Sequence, residues 1–271
     1  MQVNKRKNRS LEVVLGILLF LILCCFGYIA WLLYHYYMAD LEYSVLREDY
    51  TYSDDADDNN DTGGDASRFP DKDIDTEGLL AANPDFVCWL YYPDGKIDLP
   101  VVKEREDDIN GYLHRTFEGK RNSAGCVFMP YDASSDFRDL NTFLYGHNMA
   151  NGSMFGSLKY LKRNPEENFK DPYFYIWTKD RQRMLYRVVA MYVVDYRSEM
   201  YSVPVTLEGY QSYLQQALSL GSVEGLVPFN DEETAAMGHG KPLVTLSVCF
   251  GRAGTSNRLL IQGVELVRED F

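Results

Sequence analysis

The chain has 271 residues, of which 46% are hydrophobic and 14% aromatic, and this suits one globular domain of about 200 residues with appendages. Its formal net charge of −13 is distributed unevenly, because four basic residues lie near the start and thirteen acidic residues lie between positions 40 and 75. No basic stripe that could follow a phosphate backbone is visible, so nucleic acid is excluded as an expected partner.

The first predicted element is a membrane anchor. Residues 13–38 contain no Asp, Glu, Lys or Arg, and a helix of about 20 such residues crosses the hydrocarbon core of a bilayer. Basic residues before this stretch and acidic residues after it place the N-terminus in the cytoplasm. We therefore predict a cytoplasmic basic tail (1–10) and a single transmembrane anchor (11–38). A cleaved signal peptide is the alternative, but its apolar region is usually only about 7 to 15 residues long.

An acidic, polar stretch follows the anchor. We interpret residues 39–72 as a flexible linker, because repelling carboxylates among Asn, Gly, Ser and Thr cannot bury a core. The run DDADDNND (54–61) offers alternating carboxylates as a calcium-loop alternative, but it lacks the glycine and the terminal glutamate of the known loop. A folded extracellular domain is predicted over 73–271.

Beyond the linker, apolar runs bounded by turn signals predict a mainly β domain. The candidate strands are FVCWLYY (86–92), IDLPVV (97–102), CVFM (126–129), TFLYG (142–146), YFYIWT (173–178), MLYRVVAMYVV (184–194), LVTLSVC (243–249) and RLLIQGVEL (258–266). Closing these eight strands into a barrel would remove the exposed edges of the sheet. Helical patterns fit residues 75–82, 153–162 and 206–220.

Five cysteines are divided by this topology. Cys24 and Cys25 lie in the predicted anchor, whereas Cys88, Cys126 and Cys249 lie on its outer, oxidising side. No CxxC pair is present, so a structural zinc site is not expected. If Cys88 and Cys126 pair, one thiol is still left over.

Three residues at strand ends carry the groups that acyl transfer needs. Cys249 closes one strand, Arg258 opens the next, and His147 follows another in the phrase LYGHNM. Together they offer a nucleophile, a proton carrier and a fixed positive charge. Each residue alone is more often a packing, turn or surface residue, and His239 is the competing candidate for the proton carrier. A structural Cys in an anchored adhesin or scaffold is the non-enzymatic alternative.

Four segments between about 83 and 267 resemble the sortases, and most closely their class B. They are NPDFVCWLYYPDGKIDLPVV, GYLHRTFEGKRNSAGCVFM, NTFLYGHNMANGSMFGSLKYL and TLSVCFGRAGTSNRLLIQG, and they occur in the same order as in that class. A long insertion at 195–229, before the cysteine strand, also resembles class B. A papain-type peptidase, by contrast, would place its Cys before its His.

The resemblance implies a closed eight-stranded β-barrel with a few peripheral helices, and a membrane-anchored cysteine transpeptidase of Gram-positive bacteria that uses no cofactor and no metal. On matching positions it makes Cys249 the nucleophile, His147 the acid and base, and Arg258 the residue that stabilises the substrate carbonyl and the oxyanion. The expected partners are the sorting-signal peptide of secreted surface proteins and an amine of a peptidoglycan precursor or a pilin.

The sequence departs from the family next to the nucleophile. Sortases usually have Thr immediately before the Cys, and this chain has Val248. Ser247 matches a residue common in class B and is a candidate for lining the substrate groove, as is Leu113 in the GYL segment. For both residues packing or turn formation is an equal alternative.

Overall fold

The structure, a computed structural model, describes residues 3–52, 68–252 and 254–271, with side chains from residue 11 onward. Two compact units divide the chain, Met1–Glu42 and Tyr43–Phe271.

A long helix, α1 (Val3–Tyr50), forms the described part of the first unit and continues into the second. Its segment Leu11–Tyr50 is, among the described residues, the one helix long and apolar enough to cross a membrane, by length and composition alone. This segment contains the predicted anchor, 11–38. The Leu, Ile, Val and Phe side chains in residues 11–30 are exposed, and a helix that is apolar on every side favours a hydrocarbon environment.

Helix α1 continues beyond residue 39, where the flexible linker was predicted to begin. Residues 39–50 are helical, because Tyr43, Leu46 and Tyr50 recur at helical spacing and face one side. Tyr43 and Leu46 are each only 3% exposed. The second unit therefore begins with the last two turns of α1, well before residue 73.

A short ladder follows, in which β1 (Thr51–Tyr52) pairs antiparallel with β2 (Asp73–Ile74). The central part of the predicted linker, 53–67, lies outside the described residues and includes the DDADDNND calcium candidate.

Eight of the described strands close into a barrel, which confirms the predicted fold. They are β3 (Phe86–Tyr92), β4 (Ile97–Lys103), β5 (Val127–Met129), β6 (Asn141–Gly146), β7 (Tyr173–Thr178), β8 (Gln182–Asp195), β9 (Leu243–Cys249) and β10 (Asn257–Asp270). Around the barrel the order is β10, β8, β7, β3, β4, β5, β6 and β9, and β9 pairs with β10 to close it. The β4–β5 and β6–β9 pairs are parallel, and the other pairs are antiparallel.

Large side chains fill the core of this barrel. Tyr92, Phe174 and Tyr186 are fully buried, and the rings of Phe174 and Tyr186 stack with their centroids 5.0 Å apart. Gly263 on β10 makes room for this stack, since a Cβ there would lie 2.3 Å from the Phe174 ring. A close-packed interior of this kind gives the strand ends fixed positions.

The helices lie outside the barrel. They are α2 (Thr76–Ala82), α3 (Leu158–Arg163), α4 (Pro165–Asn168), α5 (Leu207–Gly221) and α6 (Asp231–Gly238). The predicted helices at 75–82 and 206–220 correspond to α2 and α5. The prediction for 153–162 is correct only in its second half, because residues 151–157 form turns. Helix α6 was not predicted, although the sequence carries its capping box, Asn230 with Glu233.

Candidate active site

The ends of three neighbouring strands bring the predicted site residues to one rim of the barrel. In the parallel pair of β6 and β9, Gly146 lies opposite Val248, and one residue further along are His147 and Cys249. In the antiparallel pair of β9 and β10, Cys249 lies directly opposite Arg258. Because adjacent strands are about 5 Å apart, the cysteine backbone lies between those of the histidine and the arginine.

His147 is half-buried, and its ring is held by a backbone carbonyl. Nε2 lies 2.8 Å from the carbonyl oxygen of Leu113. That oxygen can only accept, so Nε2 carries the proton, and the neutral ring has Nδ1 as its free acceptor. Burial lowers the pKa of His147, the Leu113 hydrogen bond opposes this, and the charge of His114 lowers the pKa further. The imidazole is therefore neutral near pH 7.

Cys249 is an exposed thiol at the last position of β9. Its backbone carbonyl accepts a hydrogen bond of 2.9 Å from Nδ2 of Asn148, the residue after the histidine. Cys88 and Cys126 are buried and do not form a disulfide with each other, and burial raises the pKa of Cys88 well above its usual value. Among the described thiols of the barrel unit, Cys249 is thus the accessible one.

Arg258 is the second residue of β10, and its guanidinium is held from one side only. Its Nη1 donates to the carbonyls of Thr255 (2.8 Å) and Asn257 (3.0 Å), and its guanidinium lies 5.7 Å from the centre of the Tyr196 ring. Within the described parts of the chain, Nε and Nη2 have no hydrogen-bond partner. A guanidinium held in this way keeps donors available for a carbonyl oxygen or an oxyanion.

The two predicted groove residues have different surroundings. Ser247 is 2% exposed, and its Oγ lies 2.8 Å from the hydroxyl of Tyr201. Leu113 is half-buried, and its carbonyl rather than its side chain meets His147. A substrate-binding role for either residue stays a prediction. Val248 is 2% exposed, so the side chain at this position packs into the interior.

Tyr201 belongs to the site although no local pattern indicated it. Burial raises the pKa of its phenol; the Ser247 hydrogen bond and the charge of Arg258 lower it, and the charge of Cys249 raises it. The phenol is therefore within electrostatic range of both the thiol and the guanidinium. Its position in the insertion before α5 could not be derived from spacing, because only the tertiary fold brings residue 201 to Ser247.

The other histidines of the second unit, His114 and His239, are arranged differently. His114 is exposed and is close enough to His147 for its charge to affect the imidazole. His239, the competing proton carrier, is the C-cap residue of α6, where its backbone N–H donates to the carbonyls of Ala235 and Met237. The geometry thus favours His147 as the partner of Cys249.

Comparisons with known proteins show what the chain and its barrel are similar to. No protein-family model matches the chain. It is 40% identical to sortase B of Listeria monocytogenes over 87 residues, which are 32% of this chain and 35% of that protein. The chain spans little more than a third of the length of the curated relatives it matches.

Solved structures extend the likeness to most of the barrel. Sortase B of Bacillus anthracis superposes with a TM-score of 0.65 at 23% identity, covering 86% of this chain and 99% of that one. A class B sortase of Streptococcus pyogenes involved in pilus biogenesis gives a TM-score of 0.56 at 24% identity, covering 70% and 97%. The resemblance to class B sortases is confirmed, and the barrel has their fold.

Proposed function

We propose that this protein, with its class B sortase fold, is a membrane-anchored cysteine transpeptidase. It cleaves the C-terminal sorting signal of a secreted surface protein after a Thr residue, and it joins the new carboxyl end to an amine of the cell wall or of a pilin. The observation that carries the proposal is the meeting of His147, Cys249 and Arg258 at one rim of the barrel.

In the first half-reaction, His147 takes the thiol proton of Cys249, and the sulfur attacks the carbonyl carbon of the substrate Thr. Activation of a thiol by a neighbouring base is the usual route to a cysteine nucleophile. The tetrahedral intermediate then collapses, the C–N bond breaks, and the imidazolium gives its proton to the departing amine. A thioester between the substrate acyl group and Cys249 remains.

In the second half-reaction, the acceptor amine attacks the thioester carbon. His147 takes a proton from the attacking amine, the C–S bond breaks, and the proton returns to the sulfur. An amide bond is formed and the free thiol is restored, so the cycle needs no external energy source or cofactor.

Arg258 stabilises the oxyanion of both tetrahedral intermediates. Its Nε and Nη2 donors are the ones that meet no acceptor among the described residues, and such preorganised donors make a large contribution to acyl transfer. With Val248 in place of the usual Thr, the side chain before the nucleophile offers no hydroxyl for this purpose. The task therefore falls to the guanidinium and to backbone N–H groups.

Anchoring places the reaction at the outer surface of the membrane. The apolar part of α1 holds the enzyme where a secreted substrate and a lipid-linked wall precursor meet it, with the N-terminus in the cytoplasm and the barrel outside. Confinement to one surface raises the effective concentration of enzyme and substrate. The pilus role of the similar Streptococcus pyogenes enzyme makes a pilin amine a second acceptor to test.

The test uses the whole chain in detergent micelles with a panel of sorting-signal peptides, each with and without an added amine. Mass spectrometry of the products should show cleavage after Thr and a peptide–amine conjugate. Cys249→Ala and His147→Ala should abolish both products, while Cys24→Ala, a matched cysteine control in α1, should leave them unchanged.

The same assay separates the enzyme from an anchored scaffold. A scaffold would give no conjugate with any peptide of the panel, and Cys249→Ala would change nothing. Turnover that survives both Cys249→Ala and His147→Ala would refute the proposed function.

A further inference from the structure

Gly125, in the segment before β5, packs closely against His147. Gly125 has a left-handed backbone (φ 63°). A Cβ added there would lie 2.6 Å from the carbonyl oxygen of Tyr112, 2.9 Å from that of Leu113 and 3.1 Å from Cδ2 of His147. The Gly125 backbone therefore packs directly on the imidazole and on the carbonyl that orients it. Only a residue without a side chain allows this approach.

The segment that includes Leu113 and Gly125 is internally tied. The N–H of Cys126 donates to the carbonyl of Tyr112 over 2.9 Å, and the N–H of Asn122 donates to the carbonyl of His114 over 3.0 Å. The part around Leu113 and the part around Gly125 therefore run side by side as two arms. The first arm carries the carbonyl that accepts from His147, and the second carries the glycine that packs on the imidazole ring. A displacement of one arm is passed to the other.

The end of α1 holds this segment from behind. The hydroxyl of Tyr43 donates a buried hydrogen bond of 2.6 Å to the carbonyl of Gly125, and Tyr43 is 3% exposed. One turn further on, Leu46 is equally buried, and Nη1 of Arg47 lies 3.4 Å from the carbonyl oxygen of Asp98 on β4. The last turns of α1 are therefore docked on the barrel, and Tyr43 is their contact with the segment around His147.

From these contacts we infer that Tyr43 is a positioning residue for His147. Its hydroxyl fixes the Gly125 carbonyl, Gly125 holds the imidazole and the Leu113 carbonyl in place, and that carbonyl keeps the proton on Nε2. Nδ1 is then the nitrogen that faces the reaction. The inference rests on the proposed role of His147 as the proton carrier. It also makes the last turns of α1 part of the catalytic unit, so a protein shortened to residue 73 would lack this support.

The test is Tyr43→Phe in the whole chain in detergent micelles, read by ¹⁵N NMR of the histidine rings. His147→Gln identifies the His147 signals. In the unchanged protein the neutral ring of His147 should be the Nε2–H tautomer. In Tyr43→Phe an Nδ1–H population should appear, and kcat should fall about 5-fold, the size of one net hydrogen bond, with KM unchanged.

Tyr52→Phe is the matched control, because among the described residues the exposed Tyr52 hydroxyl donates to the Asp49 carbonyl in its own segment. It should alter neither the tautomer nor kcat. Gly125→Ala changes the other partner of the contact between Tyr43 and Gly125. It should shift the His147 tautomer in the same direction as Tyr43→Phe. Thermal unfolding of each variant establishes that it is folded.

The outcomes separate the inference from the proposed function. An unchanged His147 tautomer in folded Tyr43→Phe overturns the inference, whatever happens to the rate. A shifted tautomer in a protein that conjugates none of the peptides supports the positioning role and contradicts the transpeptidase instead.

Discussion

The side-chain amide of Asn148 donates a hydrogen bond of 2.9 Å to the backbone carbonyl of Cys249. This bond joins the turn after His147 to the end of the strand that bears the thiol. It crosses between two segments about a hundred residues apart in the chain, and it fixes the backbones next to His147 and at Cys249 relative to each other.

Loss of this bond should slow the reaction without weakening peptide binding. We expect Asn148→Ala to lower kcat about 5-fold, since one net hydrogen bond contributes about 1 kcal/mol. Asn148→Asp should be worse, because a carboxylate cannot donate and repels the Cys249 carbonyl. Steady-state kinetics of conjugate formation measure both. Asn168→Ala is the control, because the side-chain amide of Asn168 makes an exposed hydrogen bond to a backbone carbonyl, that of Asn164. A wild-type kcat in Asn148→Asp would exclude the role.

Arg258 should accelerate the reaction by stabilising the transition state. We expect Arg258→Ala to lower kcat by roughly 10²- to 10³-fold, the usual cost of a lost oxyanion donor, with a small change in KM. Arg258→Lys should recover only part of the rate, because an ammonium lacks the fork of donors. Arg252→Ala removes an exposed arginine of the same loop and should be silent. If Arg258→Ala raised KM alone, the guanidinium would be a binding group only.

His147 should make stability depend on pH. Burial lowers its pKa in the folded state, against the Leu113 hydrogen bond, so the unfolded chain binds a proton more readily. The contribution of His147 to the unfolding free energy is complete above the pKa of about 6.5 in the unfolded chain. It is lost as the pH falls toward the lower pKa in the folded protein. His147→Gln keeps a donor for the Leu113 carbonyl but does not titrate.

Urea unfolding at about pH 7.5 and about pH 5 checks this difference, because the other titrating groups are common to both proteins. The wild-type protein should lose more unfolding free energy on acidification than His147→Gln. Equal losses would show that the imidazole is not held in its neutral form by burial.

A buried ion pair should anchor α6 to the barrel. Nε of Arg187 on β8 lies 3.1 Å from Oε1 of Glu233, and both side chains are almost fully buried. Glu233→Ala leaves the arginine charge without its partner, so we expect a loss of about 3–5 kcal/mol in unfolding free energy. The partly exposed pair of Arg183 with Glu269 is the control, and Glu269→Ala should cost under about 1 kcal/mol. Similar losses in the two variants would contradict the special role of burial.

Local patterns predicted most of the barrel, because its strands are apolar and end at turn residues. The predicted strand LVTLSVC has the bounds of β9. By contrast, β10 runs on to Asp270, four residues beyond the prediction, because pairing with β8 continues to Gln182. The polar sequence VREDF gives no strand signal by itself, so this extension depends on a partner that lies some 90 residues earlier.

The part of the site that could be predicted from the sequence is the set of reactive side chains at strand ends. His147, Cys249 and Arg258 each lie within one residue of a strand end, and their convergence follows from the order of β6, β9 and β10. The supporting contacts are of another kind. The Leu113 carbonyl, the backbone of Gly125 and the Tyr43 hydroxyl meet through tertiary packing, and backbone carbonyls leave no signal in a sequence.

The most direct test of the central claim is to capture the acyl-enzyme. The whole chain is mixed with a cleavable sorting peptide in the absence of amine, quenched in acid, and examined by intact-mass and peptide-fragment mass spectrometry. We predict an adduct with the mass of the peptide acyl portion on Cys249, which an added amine discharges to the conjugate. A cleaved peptide with no adduct on Cys249, or an adduct on another residue, would contradict the account.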